Sequence, residues 1–86
     1  MVKQYYTIRD SKAGIYDERI FSCHTPGEAE RIFHQLVNDT NTHIGKYPDD
    51  YDLYHIGEFN METGKFRSTD TPMHIVKGVQ LVKSIN

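Results

Sequence analysis

The 86-residue sequence has a single cysteine, no tryptophan and only three prolines. Because Cys23 has no second cysteine to join, an internal disulfide and a CxxC metal site are both excluded, and we expect a reducing compartment. The chain has no run of about 18 apolar residues, which excludes a transmembrane helix, and its first residues lack the apolar core of a signal peptide. These absences predict a soluble protein without a membrane partner.

The length and the net charge restrict the class of protein further. A chain of 86 residues and 10.0 kDa forms one small domain with a modest core, so a homodimer interface is one way to bury more apolar surface. The net charge is −2 and the pI about 6.2, whereas dedicated nucleic-acid binders usually have a pI above roughly 9. The charge is uneven, however: residues 48–64 carry five acids and no Lys or Arg, and residues 65–86 carry four bases and one acid. The sequence therefore still permits a basic face on a mildly acidic protein.

The clearest secondary-structure prediction is a helix that starts at Thr25. Thr25 can cap the first amides, Pro26 occupies the first helical position, and Glu28 can reach back to the Thr25 amide. Five apolar residues then follow at the spacing of one helical face: Ala29, Ile32, Phe33, Leu36 and Val37. We expect the helix to end near residue 38 or 39.

Around this helix, residues 2–9, 19–24, 53–59 and 66–68 have the composition of β-strands. Gly64 supplies the left-handed residue of a hairpin loop over residues 60–65, and residues 70–72 are expected to break the last strand. The fold class is therefore α+β, with an antiparallel sheet of about four strands in the order β-β-α-β-β and the helix packed on one face. We expect one domain over residues 1–72, with residues 73–86 as a C-terminal strand or arm, in the same sheet or in a dimer contact.

No motif in the sequence indicates catalysis or metal binding. The five histidines are scattered, and the acidic residues 49, 50 and 52 lack the glycine and bidentate glutamate of a calcium loop. Cys23 and His24 point to opposite faces of a strand, so the imidazole is poorly placed to activate the thiol. We expect no enzyme activity, no metal and no cofactor.

Tyrosines on the predicted strands are the most informative chemical feature. Sheet aromatics beside basic residues can stack nucleobases, which makes single-stranded nucleic acid a candidate ligand. The predicted binding residues are Tyr5, Tyr6, Arg9, Lys12, Lys65 and Arg67. The alternative is that the rings form the core or an oligomer interface, because the overall charge opposes strong phosphate binding.

The central stretch YPDDYDLYHIGEF at residues 47–59, followed by Thr63-Gly64-Lys65, resembles a small non-structural protein of gokushoviruses, which are bacteriophages of the single-stranded DNA microvirus family. RDSKA at residues 9–13 and EAERIF at residues 28–33 extend the resemblance to about residues 4–67. The match departs at Asn60, where an aspartate is expected, and after Ser68. Within residues 47–59, we expect Gly57 to permit either a bulge in the strand or a close approach of the helix.

The resemblance implies a DNA-binding or simply non-structural protein that acts in viral genome replication or packaging, in the host cytoplasm. It brings no catalytic residues. Single-stranded DNA, bound without strong sequence preference, is the partner that this family and the strand tyrosines favour together. A second reading is a protein-interaction or dimerisation module that docks on phage replication or capsid proteins without touching DNA.

Overall fold

Five strands and two helices make up residues 1–83, the part of the chain that the computed structural model describes. The elements are β1 (Val2–Asp10), β2 (Ile15–Tyr16), β3 (Phe21–Cys23), α1 (Pro26–Val37), α2 (His43–Lys46), β4 (Tyr51–Asn60) and β5 (Phe66–Lys77). Short 3-10 turns lie at Pro48–Asp50 and Gly78–Leu81. The protein is thus α+β with one main helix, as the sequence predicts. No helix within residues 1–83 has the length and apolarity needed to cross a bilayer.

The sheet is antiparallel and runs in the order β2-β1-β4-β5, with β3 pairing β1 beside β2. β4 lies between β1 and β5. All of its residues are buried or half-buried, as is typical of a central strand. The predicted strand over residues 19–24 is present as the shorter β3, whereas β2 was not predicted. The chain between β2 and β3 leaves the sheet. Thr7 of β1 fills this gap, with its hydroxyl 3.0 and 3.2 Å from the carbonyl oxygens of Asp17 and Arg19.

Helix α1 begins where its capping residues predict. The Thr25 hydroxyl accepts a hydrogen bond from the Glu28 amide at 3.2 Å, and Pro26 is the first helical residue. The Glu28 carboxylate accepts from the His24 amide at 3.3 Å rather than from the Thr25 amide, so the expected partner is wrong by one residue. The helix ends at Val37, followed by Asn38 as its C-cap.

The core lies between α1 and one side of the sheet. Residues directly opposite in an antiparallel ladder project to the same side, and Ile8, Leu53 and Val76 form one such row across β1, β4 and β5. Phe33 packs over this row and is fully buried, as are Tyr6, Cys23, Ala29 and Val37 in the same cluster. We call this side of the sheet the helix side.

Three irregularities interrupt the sheet ladder. In one, Ile75 is an extra residue of β5 between the pairs Leu53–Val76 and Tyr54–His74. Tyr5 pairs Gly57 while Tyr6 pairs His55, so Ile56 is the extra residue of a β-bulge. On β5, the ladder runs from Gly57–Ser68 to His55–Met73, so residues 69–72 lie opposite Ile56 alone. The expected strand break at residues 70–72 is therefore wrong: the segment bulges, and the strand continues to Lys77.

The chain after β5 turns back onto the core at Gly78. A Cβ atom at this position would lie 2.6 Å from the Pro48 carbonyl oxygen, 2.9 Å from the Tyr51 carbonyl oxygen and 3.4 Å from the Phe33 ring. The Asn38 side-chain amide donates to the Leu81 carbonyl at 2.9 Å and fastens the following turn to the end of α1. The last three residues of the predicted arm, 84–86, lie outside the described residues.

Substituting Gly78→Ala tests how tightly this turn is packed. The added methyl group would meet backbone oxygens that cannot move alone, so we expect a loss of about 1–3 kcal/mol in the free energy of unfolding, measured by urea denaturation. Gly27→Ala is the matched control, because its Cβ would lie 3.7 Å from the nearest atom, within a helix that favours alanine. Equal stability of the two variants would contradict the close approach.

Stability should also fall at alkaline pH. Burial raises the pKa of both Tyr6 and Cys23, and the nearby Glu28 carboxylate raises both further. The two protonated groups contribute their full stabilisation at any pH below the unfolded-state pKa values, which are about 8.5 for cysteine and 10 for tyrosine. Above those values the unfolded chain loses its protons first, so this stabilisation is lost as the pH rises through the higher folded-state pKa values. Urea midpoints between neutral and alkaline pH measure the slope. Tyr6→Phe should flatten it, whereas Tyr47→Phe, at an exposed position, should not.

Candidate nucleic-acid interface

The side of the sheet opposite α1 carries a continuous group of ring side chains. The strand register places them on this side. Tyr5, Thr7 and Arg9 of β1 alternate with the buried Tyr6 and Ile8 and therefore face away from α1. Their partners face the same way: Gly57 opposite Tyr5, Tyr54 opposite Thr7, and both Asp52 and Tyr16 opposite Arg9. We call this surface the aromatic face and define it by Tyr5, Tyr16, Tyr54, Phe59, Phe66 and His74.

The rings of the aromatic face form two clusters that contact edge to face. Tyr5 lies 6.4 Å from Phe59 and 5.5 Å from Phe66, measured between ring centroids. Tyr54 lies 5.4 Å from Tyr16 and 5.3 Å from His74, again nearly perpendicular. Such pairs add about 0.5–1.5 kcal/mol each beyond the burial of their area. The rings thus support one another without a covering helix, and Phe66 remains 46% exposed.

Gly57 allows Phe66 to lie against the sheet. A Cβ atom on Gly57 would come within 2.8 Å of two Phe66 ring atoms and 2.6 Å of the Arg67 carbonyl oxygen. The bulge expected near Gly57 is present, but the group that approaches it is a side chain of β5, not the helix. A larger residue at Gly57 would push the Phe66 ring away from Tyr5.

Basic side chains flank both clusters. Lys3 and Arg9 project from β1 and Lys77 from β5 onto the aromatic face, against one acid, Asp52. The Arg9 guanidinium lies 5.5 Å from the centre of the Tyr16 ring, within cation–π range. The Asp52 carboxylate is held by His74 Nε2 at 2.8 Å. With three bases and one acid, this face is positive in a chain whose net charge is −2.

Of the six binding residues predicted from sequence, only Tyr5 and Arg9 lie on the aromatic face. Tyr6 is wrong as a stacking residue, because it is 1% exposed and packs in the core beside Phe21. The physical reason is the two-residue period of a strand, which sends neighbouring side chains to opposite sides.

The predicted bases Lys65 and Arg67 also fall elsewhere. Arg67 pairs Glu58, which pairs Gln4 on the helix side, and with Lys65 it lines a separate cavity of about 190 Å³ at the far end of the sheet. Lys12 is exposed in the turn after β1, where its amide bonds the Asp10 carboxylate. The six residues therefore occupy separate places and do not form one site.

Sequence reasoning missed most of the aromatic face. Strand alternation in β1 places Lys3 on the side of Tyr5, but regular alternation in β4 puts Phe59 on the side of Leu53. The bulge at Ile56 reverses that assignment. Tyr16, His74 and Lys77 lay in segments whose pairing partners were not predicted. Among residues 1–83, no group of three His, Cys, Asp or Glu side chains is arranged to hold a metal ion.

Comparison with known proteins identifies relatives but no matching fold. No solved structure matches the chain. Protein ORF5 of Chlamydia phage 1 is 35% identical over 69 residues, which cover 77% of this chain and 72% of that protein. A family model described as Phage ORF5 protein matches residues 3–81. These matches confirm the resemblance to a small phage protein, and the chain belongs to the phage ORF5 protein family.

Proposed function

We propose that the protein binds single-stranded DNA through the aromatic face, without strong sequence preference, during replication or packaging of a phage genome in the host cytoplasm. The observation that supports this is the combination of ring side chains and three bases on the side of the sheet that α1 leaves uncovered. Membership of a phage protein family is consistent with such a role.

The chemistry of this face suits unpaired bases. Stacking of one base on an aromatic side chain contributes about 1–3 kcal/mol and tolerates any base, because every base has a π-face. In a duplex those faces are already stacked on one another, so a single strand is the better ligand. Among the tyrosine and phenylalanine rings of the aromatic face, Tyr16 and Phe66 are the most exposed. They lie at the outer rims of the two clusters.

Charge sets the strength of this binding. Lys3, Arg9 and Lys77 supply few phosphate contacts, and the remaining surface is acidic, so the affinity should be modest and should fall steeply with salt. Asp52 lies between Arg9 and Lys77 in the ladder. Its bond to His74 keeps the carboxylate turned toward a donor rather than toward an incoming phosphate.

A second candidate is a protein-interaction or dimerisation module. β5 ends the sheet order, and Met73 on this strand is 57% exposed. A partner on phage replication or capsid proteins, or a second copy, could then cover β5 or the aromatic face in place of DNA. Sedimentation of the free protein separates the two, because a dimer that hides the aromatic face should not bind an oligonucleotide.

Removing one stacking ring should weaken DNA binding. We expect Tyr54→Leu to raise the Kd for a labelled oligothymidine of about 10 nucleotides roughly five- to hundredfold, from the loss of one stacked base. Fluorescence anisotropy at about 50 mM salt, where phosphate contacts are strong, measures the change. Tyr47→Leu is the matched control, as Tyr47 is exposed on the loop before β4. Absence of binding by the unaltered protein at this salt would refute the proposal.

Removing one base should change the salt dependence. Arg9→Gln should make the slope of log affinity against log salt shallower by about 0.7, the value for one single-strand phosphate contact. Arg31→Gln makes the same charge change on the exposed surface of α1 and should leave the slope unchanged. Equal slopes for the two variants would place the phosphate path away from the aromatic face.

A further inference from the structure

A groove with an apolar floor opens on the helix side of the sheet, between α1, α2 and the strand edge. Its volume is about 570 Å³. Its floor is formed by side chains from five elements: Ile8, Phe21, Ile32, Leu36, Ile44 and Tyr51. Ile8 and Tyr51 belong to the row of β1 and β4 residues that faces α1. The groove therefore lies across the sheet from the aromatic face.

Apolar side chains remain partly uncovered in this groove. Ile32 on α1 lines it and is 40% exposed, and Phe21, Leu36 and Ile44 are only partly buried. Helical spacing had placed Ile32 in the core stripe, but the sheet is too narrow to cover it. β3 has three residues and β2 only two, and the chain between them leaves the sheet. Apolar side chains clustered at one opening mark a surface that a partner covers.

One carboxylate, Asp17, lines the groove itself, together with Arg19 and His43. Further carboxylates border the cavity beside it. Tyr51 also lines a neighbouring cavity of about 590 Å³ bordered by Asp10, Asp17 and Glu18. Burial raises the pKa of Tyr51, and the carboxylates of Asp10, Asp50 and Asp17 raise it further. Arg19 balances only Asp17, at 3.0 Å.

We propose that this groove is a docking site for a basic segment of a partner protein, one that inserts apolar side chains between α1 and Phe21 and sets Lys or Arg against the acidic rim. Charge complementarity selects this occupant over DNA. Along the groove and the cavity beside it, the carboxylates of Asp10, Asp17 and Glu18 outnumber Arg19, and we call this border the acidic rim. The site is independent of the DNA proposal. The apolar floor of the groove and the cluster of Tyr5, Phe59 and Phe66 lie on opposite sides of the sheet, so both ligands can be bound at once there. Tyr16 borders both the acidic rim and the aromatic face.

Selection of random displayed peptides against the full chain at low salt tests the proposal. We expect enriched sequences to combine apolar residues with Lys or Arg. Binding of a synthetic copy should weaken at least about tenfold on Ile32→Glu, because a charge would then face apolar groups. Met61→Glu is the matched control, since Met61 is exposed in the β4–β5 loop. Glu18→Lys should weaken binding more than Asp70→Lys, both at exposed positions. Circular dichroism of each variant checks that it folds.

Each other occupant gives a distinct result. Acidic or uncharged enriched peptides, no enrichment at all, or equal binding by the Ile32 and Met61 variants would overturn the proposal. A dimer in sedimentation that Ile32→Glu dissociates would assign the groove to a second copy instead. Displacement of the peptide by oligothymidine would show that the two ligands share one surface, which contradicts the separation of the faces.

Discussion

Coverage of only one side of the sheet is the constraint from which the other properties of this protein derive. A twelve-residue helix is long enough to bury the row of Ile8, Leu53 and Val76 beneath Phe33. The two short 3-10 turns lie together at one end of the sheet, where Gly78 packs against Pro48. The chain has no second long helix within residues 1–83. The opposite side must therefore be stabilised by its own side chains, and large rings that contact one another edge to face achieve this.

The same constraint explains why the two sides differ in charge and in shape. On the helix side, α1, α2 and the strands leave a groove that contains the exposed Ile32 and has an acidic rim. On the other side, the rings and three bases lie on a surface that no helix interrupts. The protein thus offers two surfaces of opposite character on a domain of 10.0 kDa, and the sheet between them is only one backbone thick.

Local sequence signals predicted the elements that depend on neighbouring residues. The Thr25 cap, the Pro26 start and the left-handed Gly64 with φ of 75° are all present. What could not be predicted depends on pairing between distant strands. The bulge at Ile56 and the loop of residues 69–72 arise because β1, β4 and β5 must stay in register around Gly57. Strand alternation places Tyr5 and Tyr6 on opposite sides of β1, so the two residues cannot both be ligands on one face.

The bulge at Ile56 acts as a phase shift between the two halves of β4. In an uninterrupted ladder, Phe59 would turn toward the helix side and Glu58 would stand beside Lys3, so the outer surface would exchange a ring for a carboxylate. The extra residue restores Phe59 to the neighbourhood of Tyr5. Chain length between Leu53 and Phe59 therefore determines the character of this surface as strongly as residue identity does, and a relative with one residue more or fewer in that interval would present a different surface even with the same composition.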